Sequence, residues 1–231
     1  LPSAPVVAVR SKATVYADAR MTRSIGYVRM GSVLPASDAP ASDALAVRVP
    51  LRTAGGGAAI ADGFIPAGEA RRGFLPATPR ALIRQAFELL NEPYGWGGMH
   101  GEQDCSRFVH EVFSTAGIVL PRNSGPQAAA GRLLASFPPG APAAEKAAAL
   151  AARAVGGATL LGMSGHIMLY LGSDAGRHYA IHALWAYREP RPRGDRPRVV
   201  ARVAVTDLGL GAGSARGSLL DRLRSASLVA P

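Results

Sequence analysis

The sequence predicts an α+β domain preceded by a small all-β barrel, and three observations carry that prediction. Up to about residue 76, apolar bursts of a few residues are broken by Gly and Pro at strand-like spacing. From Thr78 to Gly117 the apolar positions recur at helical spacing. Strand-like segments follow, and helices succeeded by strands argue for α+β architecture over interleaved βαβ units. The length, 231 residues, suits one large domain or two small ones. The change of texture places the boundary near Pro76, giving domains at 1–76 and 77–231.

In the first domain the bursts are Pro5-Val-Val-Ala-Val9, Ile25-Gly-Tyr-Val-Arg-Met-Gly31, Leu45-Ala-Val-Arg-Val49 and Gly63-Phe-Ile-Pro66. Runs this short, with Gly55-Gly-Gly57 as a flexible turn, suggest a small antiparallel barrel. In the second domain Thr78-Pro79 reads as an N-cap followed by proline at the first helical position. Leu82, Ile83, Ala86, Phe87, Leu89 and Leu90 then form a helical pattern that Asn91-Glu-Pro93 stops. A second helix is expected from Asp104, with Phe108, Val109, Val112, Phe113 and Ala116 on one face and Gly117 at its end. Residues 141–154 read as an exposed, Ala-rich helix of an insertion. Strands are expected at 167–171, 179–184 and 199–205, with the arginine-rich stretch 188–202 as a solvated, Pro-stiffened loop.

Composition excludes several classes of function. At 48% hydrophobic and 18% charged residues the chain can bury a core, so it is neither disordered nor collagen-like. Its longest apolar runs are far short of a membrane span. One cysteine excludes a disulfide scaffold and a Cys-based metal cluster, and no residue cluster has ligand spacing, so no metal or cofactor is expected. The net charge of +10 comes almost wholly from arginine, since Lys12 and Lys146 are the two lysines. It permits an anionic partner, but no basic helix with interleaved aromatics supports nucleic-acid binding. The opening Leu1-Pro-Ser3 has no Met and no basic leader, which reads as a secretion signal already removed.

The single cysteine carries the functional reading. Cys105 lies between Asp104 and Ser106 at the expected start of a helix, where the dipole and unpaired N–H groups favour thiolate. The same N–H groups can stabilise an oxyanion beside the sulfur. A buried structural cysteine would more often have apolar neighbours. The Gly-rich, aromatic Tyr94-Gly-Trp-Gly-Gly98 just upstream suits the wall of a cleft. A cysteine nucleophile needs an imidazole and a group to orient it. His166 begins one expected strand and His182 lies in the next. A hairpin centred on Asp174 would set them side by side, and a one-residue slip would send one to the other face. Taken singly, each could be a structural histidine. His100 lies in the Gly-rich loop and His110 on the exposed side of the cysteine helix, so both are weaker candidates.

These residues resemble the NlpC/P60 family of cell-wall cysteine peptidases over roughly 79–210. Pro93-Tyr-Gly-Trp-Gly-Gly98, Asp104-Cys-Ser106, Phe108-Val109, Phe113, Gly117-Ile118, Leu120-Pro-Arg122, Ser124 and Gln127 follow the family's central pattern in order. Gly165-His-Ile-Met-Leu-Tyr-Leu-Gly172 and Ile181-His182 match its histidine segments. There are two departures: Arg107 stands where the family usually has Gly, and Gly157-Ala-Thr-Leu160 replaces the usual Gly-Asp-Leu.

The resemblance implies a papain-like α+β peptidase with Cys105 as nucleophile, His166 as base and His182 as the orienting residue. It implies substrate binding by Tyr94, Asp104 and Ser106, the last two holding the free N-terminal amine of a peptidoglycan stem peptide. Residues 1–76 resemble, more weakly, the bacterial SH3 domains that accompany such members. The implied activity is cleavage of the γ-D-glutamyl–diamino acid bond with a preference for a free N-terminal L-Ala, by a monomer of the cell envelope (periplasmic, lipid-anchored or secreted), with cytoplasmic murein recycling as the alternative. The rival readings are an amidase or acyltransferase on the same scaffold, and an inactive wall-binding module.

Overall fold

A computed structural model describes residues 4–230; the opening Leu1-Pro-Ser3, read above as what a removed signal leaves, lies outside them. The chain divides into two compact units, Leu1–Pro76 with Glu111–Ile118, and Ala77–His110 with Val119–Pro231.

The strands of the first unit are β1 (Val6–Ala8), β2 (Lys12–Tyr16), β3 (Ser24–Arg29), β4 (Val33–Leu34), β5 (Ala44–Arg52), β6 (Ala58–Pro66) and β7 (Ala70–Arg72). The all-β character expected of 1–76 holds. The hydrogen-bond pairing describes two sheets, β4-β1-β7 and β3-β2-β6-β5. Alternation along β2 and β5 turns Ala13, Val15, Val47 and Val49 inward, where they pack with Val6, Ala8, Ile65 and Ala70. Gly55-Gly-Gly57 makes the β5–β6 turn, with the Thr53 amide donating to the Gly57 carbonyl.

The second unit opens on α1 (Pro79–Glu88), whose N-cap Thr78 accepts from the Ala81 amide and whose buried side carries Leu82 and Ala86. The helix α2 (Cys105–Ser114), whose residues from Glu111 on are grouped with the first unit, begins one residue after the expected Asp104. Its apolar stripe, Phe108, Val109, Val112 and Phe113, is fully buried. After α3 (Ser124–Ala128), β8 (Arg132–Ser136) and α4 (Ala143–Arg153) come β9 (Thr159–Met163), β10 (His166–Asp174), β11 (Arg177–Glu189) and β12 (Arg196–Asp207). The short α5 (Leu219–Arg222) and β13 (Ser225–Leu228) close the chain. One antiparallel sheet, ordered β12-β11-β10-β9-β13-β8, forms the floor. Gly162 of β9 lets α3 lie directly on the sheet, since a Cβ there would sit 2.6 Å from that of Ala128.

Two expectations are corrected. The helix at 141–154 is not an exposed insertion. Lys146 and Leu150 of α4 are buried, Leu150 joins Phe137, Leu161 and Met168 in the core, and Lys146 Nζ donates to the Asp221 carbonyl at 2.5 Å. The Ala-rich composition had hidden the two long side chains that anchor it. The stretch 188–202 is mostly strand: β11 runs to Glu189 and β12 starts at Arg196, with Glu189 facing Arg196. Pro197 is tolerated because β12 is an edge strand.

Candidate active site

Helix α2 presents Cys105 from its first residue, and the sheet presents two histidines beneath it. Asp104 Oδ1 accepts from the Arg107 amide at 2.7 Å, which caps the helix and fixes where Cys105 begins it. The Cys105 thiol is buried, and the amides of Ile167, Ser106 and Cys105 itself point at the sulfur. Burial is the largest influence on the thiol and raises its pKa, with the Asp104 carboxylate adding to the rise and the three amides opposing it. Burial therefore opposes the thiolate that the helix start favours, and outweighs the three amides.

His166 Nε2 lies 2.7 Å from His182 Nδ1, with the rings edge to face. The residues share one sheet face, as the alternation requires, but not the expected pairing. Leu169 faces Ile181, so His182 lies opposite Met168 and meets His166 across the diagonal. A two-residue difference in register keeps both side chains on the same face. Burial and the Arg222 guanidinium push His166 down to about 4. His182, fully buried, is held well below the ordinary imidazole range by desolvation and then by His166. Both imidazoles are neutral at pH 7.

Sequence reasoning missed the next partner. His182 Nε2 lies 3.0 Å from Thr206 Oγ1. Thr206 sits on β12 two residues beyond Ala204, the cross-strand neighbour of His182, and a hydroxyl among Val203, Ala204 and Val205 was the available signal. The three links fix protons cooperatively. When Thr206 Oγ1 accepts from His182 Nε2–H, His182 Nδ1 accepts from His166 Nε2–H. His166 Nδ1 then keeps a free lone pair, and only in this sense can His166 take a proton.

Asp104 and Ser106 meet in a cluster that also holds Arg122. Ser106 Oγ donates to Asp104 Oδ1 at 3.1 Å, and Arg122 Nη1 reaches both Asp104 Oδ1 and Ser106 Oγ at 3.1 and 2.8 Å. Arg122 Nη2 donates to Asp104 Oδ2 at 2.5 Å. Burial alone would raise the Asp104 pKa, but the Arg122 guanidinium, the Arg107 amide and Ser106 together hold it below the usual carboxylate range. Gln127, fully buried, donates to the carbonyls of Ser106 and Pro121 at 2.8 Å, tying the helix start to the Arg122 loop.

The Gly-rich segment 95–101 lines the other side. Gly95 is obligatory there, since a Cβ would sit 2.5 Å from the Met99 carbonyl oxygen. The Tyr94 ring packs against Trp96 and Trp185, centroids 5.2 and 5.8 Å away. Its phenol is raised to about 12 by burial, with the charges of Cys105 and Asp104 adding to the rise, so it is a hydrogen-bond donor at any physiological pH. Arg107 reaches back along the loop, Nη1 donating to the Gly98 carbonyl at 3.0 Å. His100 lies in this loop at a φ of 55° and His110 on α2; neither belongs to the imidazole chain. Among the described residues no group of His, Cys, Asp or Glu is placed to hold a metal ion, and no helix is long and apolar enough to cross a membrane.

A thiol at a helix start beside a strand-borne imidazole pair is the constellation of cysteine peptidases on α+β scaffolds. Residues 91–188 match the NlpC/P60 family, and this segment of the chain belongs to it. A gamma-D-glutamyl-L-lysine dipeptidyl-peptidase of Bacillus cereus (strain ATCC 10987 / NRS 248) is 45% identical over 53 residues, 22% of this chain and 16% of that enzyme. The solved structure of an NlpC/P60 endopeptidase from Photobacterium damselae subsp. piscicida has a TM-score of 0.76 at 20% identity, covering 98% of this chain and 54% of that one. An NlpC/P60 family protein from Bacillus cereus ATCC 10987 has a TM-score of 0.65 at 18% identity, covering 99% and 64%. These two structures share the fold. The chain spans only part of the length of each of these relatives.

Proposed function

We propose that the chain is a peptidoglycan stem-peptide hydrolase that cleaves the bond between γ-D-glutamate and the diamino acid. In this reading residues 77–231 form the peptidase domain and 1–76 an SH3-like domain, and the protein acts as a monomer in the cell envelope. The observation that carries it is the hydrogen-bonded chain from His166 through His182 to Thr206, on the strand whose Ile167 amide meets the Cys105 sulfur. The family of residues 91–188 and the name of the Bacillus cereus relative point to the same chemistry.

Cys105 starts as a thiol and His166 as a neutral imidazole, so the proton moves to His166 as the sulfur attacks the γ-glutamyl carbonyl. Charge builds on the carbonyl oxygen, for which the Tyr94 hydroxyl and the amides at the α2 start are the donors at hand. His166 then gives its proton to the leaving amine. In the second half-reaction it takes one from the water that releases the acyl group. His182 and Thr206 hold the imidazole in the competent tautomer.

Asp104 and Ser106 are the groups for the free ammonium of L-Ala. Among the described hydrogen bonds Asp104 Oδ1 accepts three and Oδ2 one, which favours Oδ2 for an incoming ammonium. Mass spectrometry of L-Ala-γ-D-Glu-diamino acid tripeptides incubated with the protein tests the reading. Release of L-Ala-D-Glu is expected. Products cut elsewhere would favour an amidase or acyltransferase, and no turnover a binding module.

A further inference from the structure

A cavity of about 440 Å³ opens beside His166 within the second unit, and neither Asp104 nor Ser106 lines it. His166 and the aromatic group of Tyr94, Trp96 and Trp185 contribute to its walls, and Arg188, Arg216 and Arg222 supply three guanidiniums. No Asp or Glu lines it. The nearby carboxylates are engaged elsewhere, Asp221 by the Ser218 amide and hydroxyl and Asp195 by the Ala215 amide. Among the described residues none of the three arginines forms an ion pair. Arg222 is half-buried and feels both burial and the charge of Arg216, which marks two guanidiniums brought together without a counter-ion.

Placing like charges together at the rim of a cavity is unfavourable unless an anion joins them. Position says which anion. In a thiol mechanism the imidazole hands its proton to the leaving amine, so the leaving residue lies on the imidazole side of the sulfur. We propose that this cavity receives the leaving diamino acid, its carbon chain against Tyr94 and Trp185 and a carboxylate on Arg216 and Arg222. The inference rests on the hydrolase reading above and adds its specificity: the enzyme selects leaving groups that carry a carboxylate. That chemistry has two sources, the α-carboxylate of a C-terminal diamino acid and the side-chain carboxylate of diaminopimelate.

Four tripeptides separate the sources: L-Ala-γ-D-Glu followed by L-lysine, by L-lysine amide, by meso-diaminopimelate, and by meso-diaminopimelate amidated on its side chain. Amidating the recognised carboxylate is expected to lower kcat/KM about tenfold or more. Arg216→Ala, in an exposed loop, should lower the carboxylate peptide by a similar factor and leave its amide unchanged. Arg222→Lys, which keeps charge but not the fork, should give an intermediate loss. Equal rates for all four peptides, unaltered by Arg216→Ala, would overturn the proposal while leaving γ-D-glutamyl hydrolysis standing.

A binding measurement needs no turnover. Trp96 and Trp185 are the chain's two tryptophans and both line the cavity. Free diaminopimelate or lysine added to the Cys105→Ala protein should therefore change its fluorescence at millimolar concentration, and the Arg216→Ala change should abolish the response. If none of the peptides is cut, the hydrolase reading fails, and this titration still decides the cavity: no response to either amino acid overturns it.

Discussion

The Nε2 of His166 and the Nδ1 of His182 stand 2.7 Å apart on adjacent strands, and Thr206 ends the same chain 3.0 Å from His182 Nε2. The pairing couples the protonation of one ring to the tautomer of the other, so each member has its own expected defect.

Cys105→Ala should abolish hydrolysis and leave the fold intact. Losing a nucleophile costs on the order of 10³- to 10⁶-fold in rate. A methyl in place of a buried thiol should change stability little. Turnover of tripeptide within about tenfold of wild type, measured by mass spectrometry, would refute the nucleophile assignment.

His166→Ala should approach the Cys105→Ala loss, because base and nucleophile act as a unit. His182→Ala should lose less, as it takes no proton from the substrate. Thr206→Val should lower kcat about five- to tenfold by removing one neutral hydrogen bond that biases the tautomer, while Thr206→Ser restores it. Nitrogen NMR of the two rings should show a mixed tautomer population only in Thr206→Val. An unchanged spectrum would make Thr206 a bystander.

The pH dependence follows from the depressed imidazoles. With His166 at about 4, the free base persists in mildly acid solution, and the acid limb of kcat/KM should fall near that pH and not near the ordinary 6.5. Alkylation of Cys105 should climb only in alkaline solution, since burial raises the thiol. Stability has the sign of a group whose folded pKa is lowered. Unfolded histidine takes a proton below about 6.5 and the folded His166 refuses it until about 4, so stability falls across that window. His166 alone would account for at most about 3 kcal/mol. Urea unfolding at stepped pH measures it.

Free tripeptides should be cut roughly 10- to 150-fold better than N-acetylated ones, the worth of one charge-assisted contact at Asp104. Asp104→Ala should erase the difference, and it should also cost about 1 kcal/mol through the lost helix cap. Equal wild-type rates would reduce Asp104 to capping, with Arg122 as its counter-ion.

Gln127→Leu should destabilise by about 2 kcal/mol, since it strips a buried donor from the Pro121 and Ser106 carbonyls. A melting temperature equal to wild type would show that neither carbonyl depends on it.

Local signals in the sequence account for what could be read there. The Thr78-Pro79 cap, the apolar face of Phe108 to Phe113 and the strand alternation around His182 each depend on near neighbours. What needed the fold was partnership. The β10–β11 turn is centred on Ala175-Gly176 and not on Asp174, and a one-residue bulge between Tyr170 and Gly172 returns the two histidines to one face, with His182 on the diagonal of His166. Arg122, 18 residues from Asp104, and Thr206, 24 from His182, enter only through tertiary contacts. Likewise the burial that raises the Cys105 thiol is a property no neighbouring residue reports. Arg107, out of pattern for the family, tethers the Gly98 carbonyl, so its effect falls on the loop's conformation.

The burial of Lys146 has a practical consequence. Of the two lysines only Lys12 is exposed. Apart from the chain's own amino terminus, an amine-directed dye, cross-linker or chip surface therefore meets one side chain, on β2 of the first unit. Coupling through that amine leaves the thiol of Cys105 chemically unmodified.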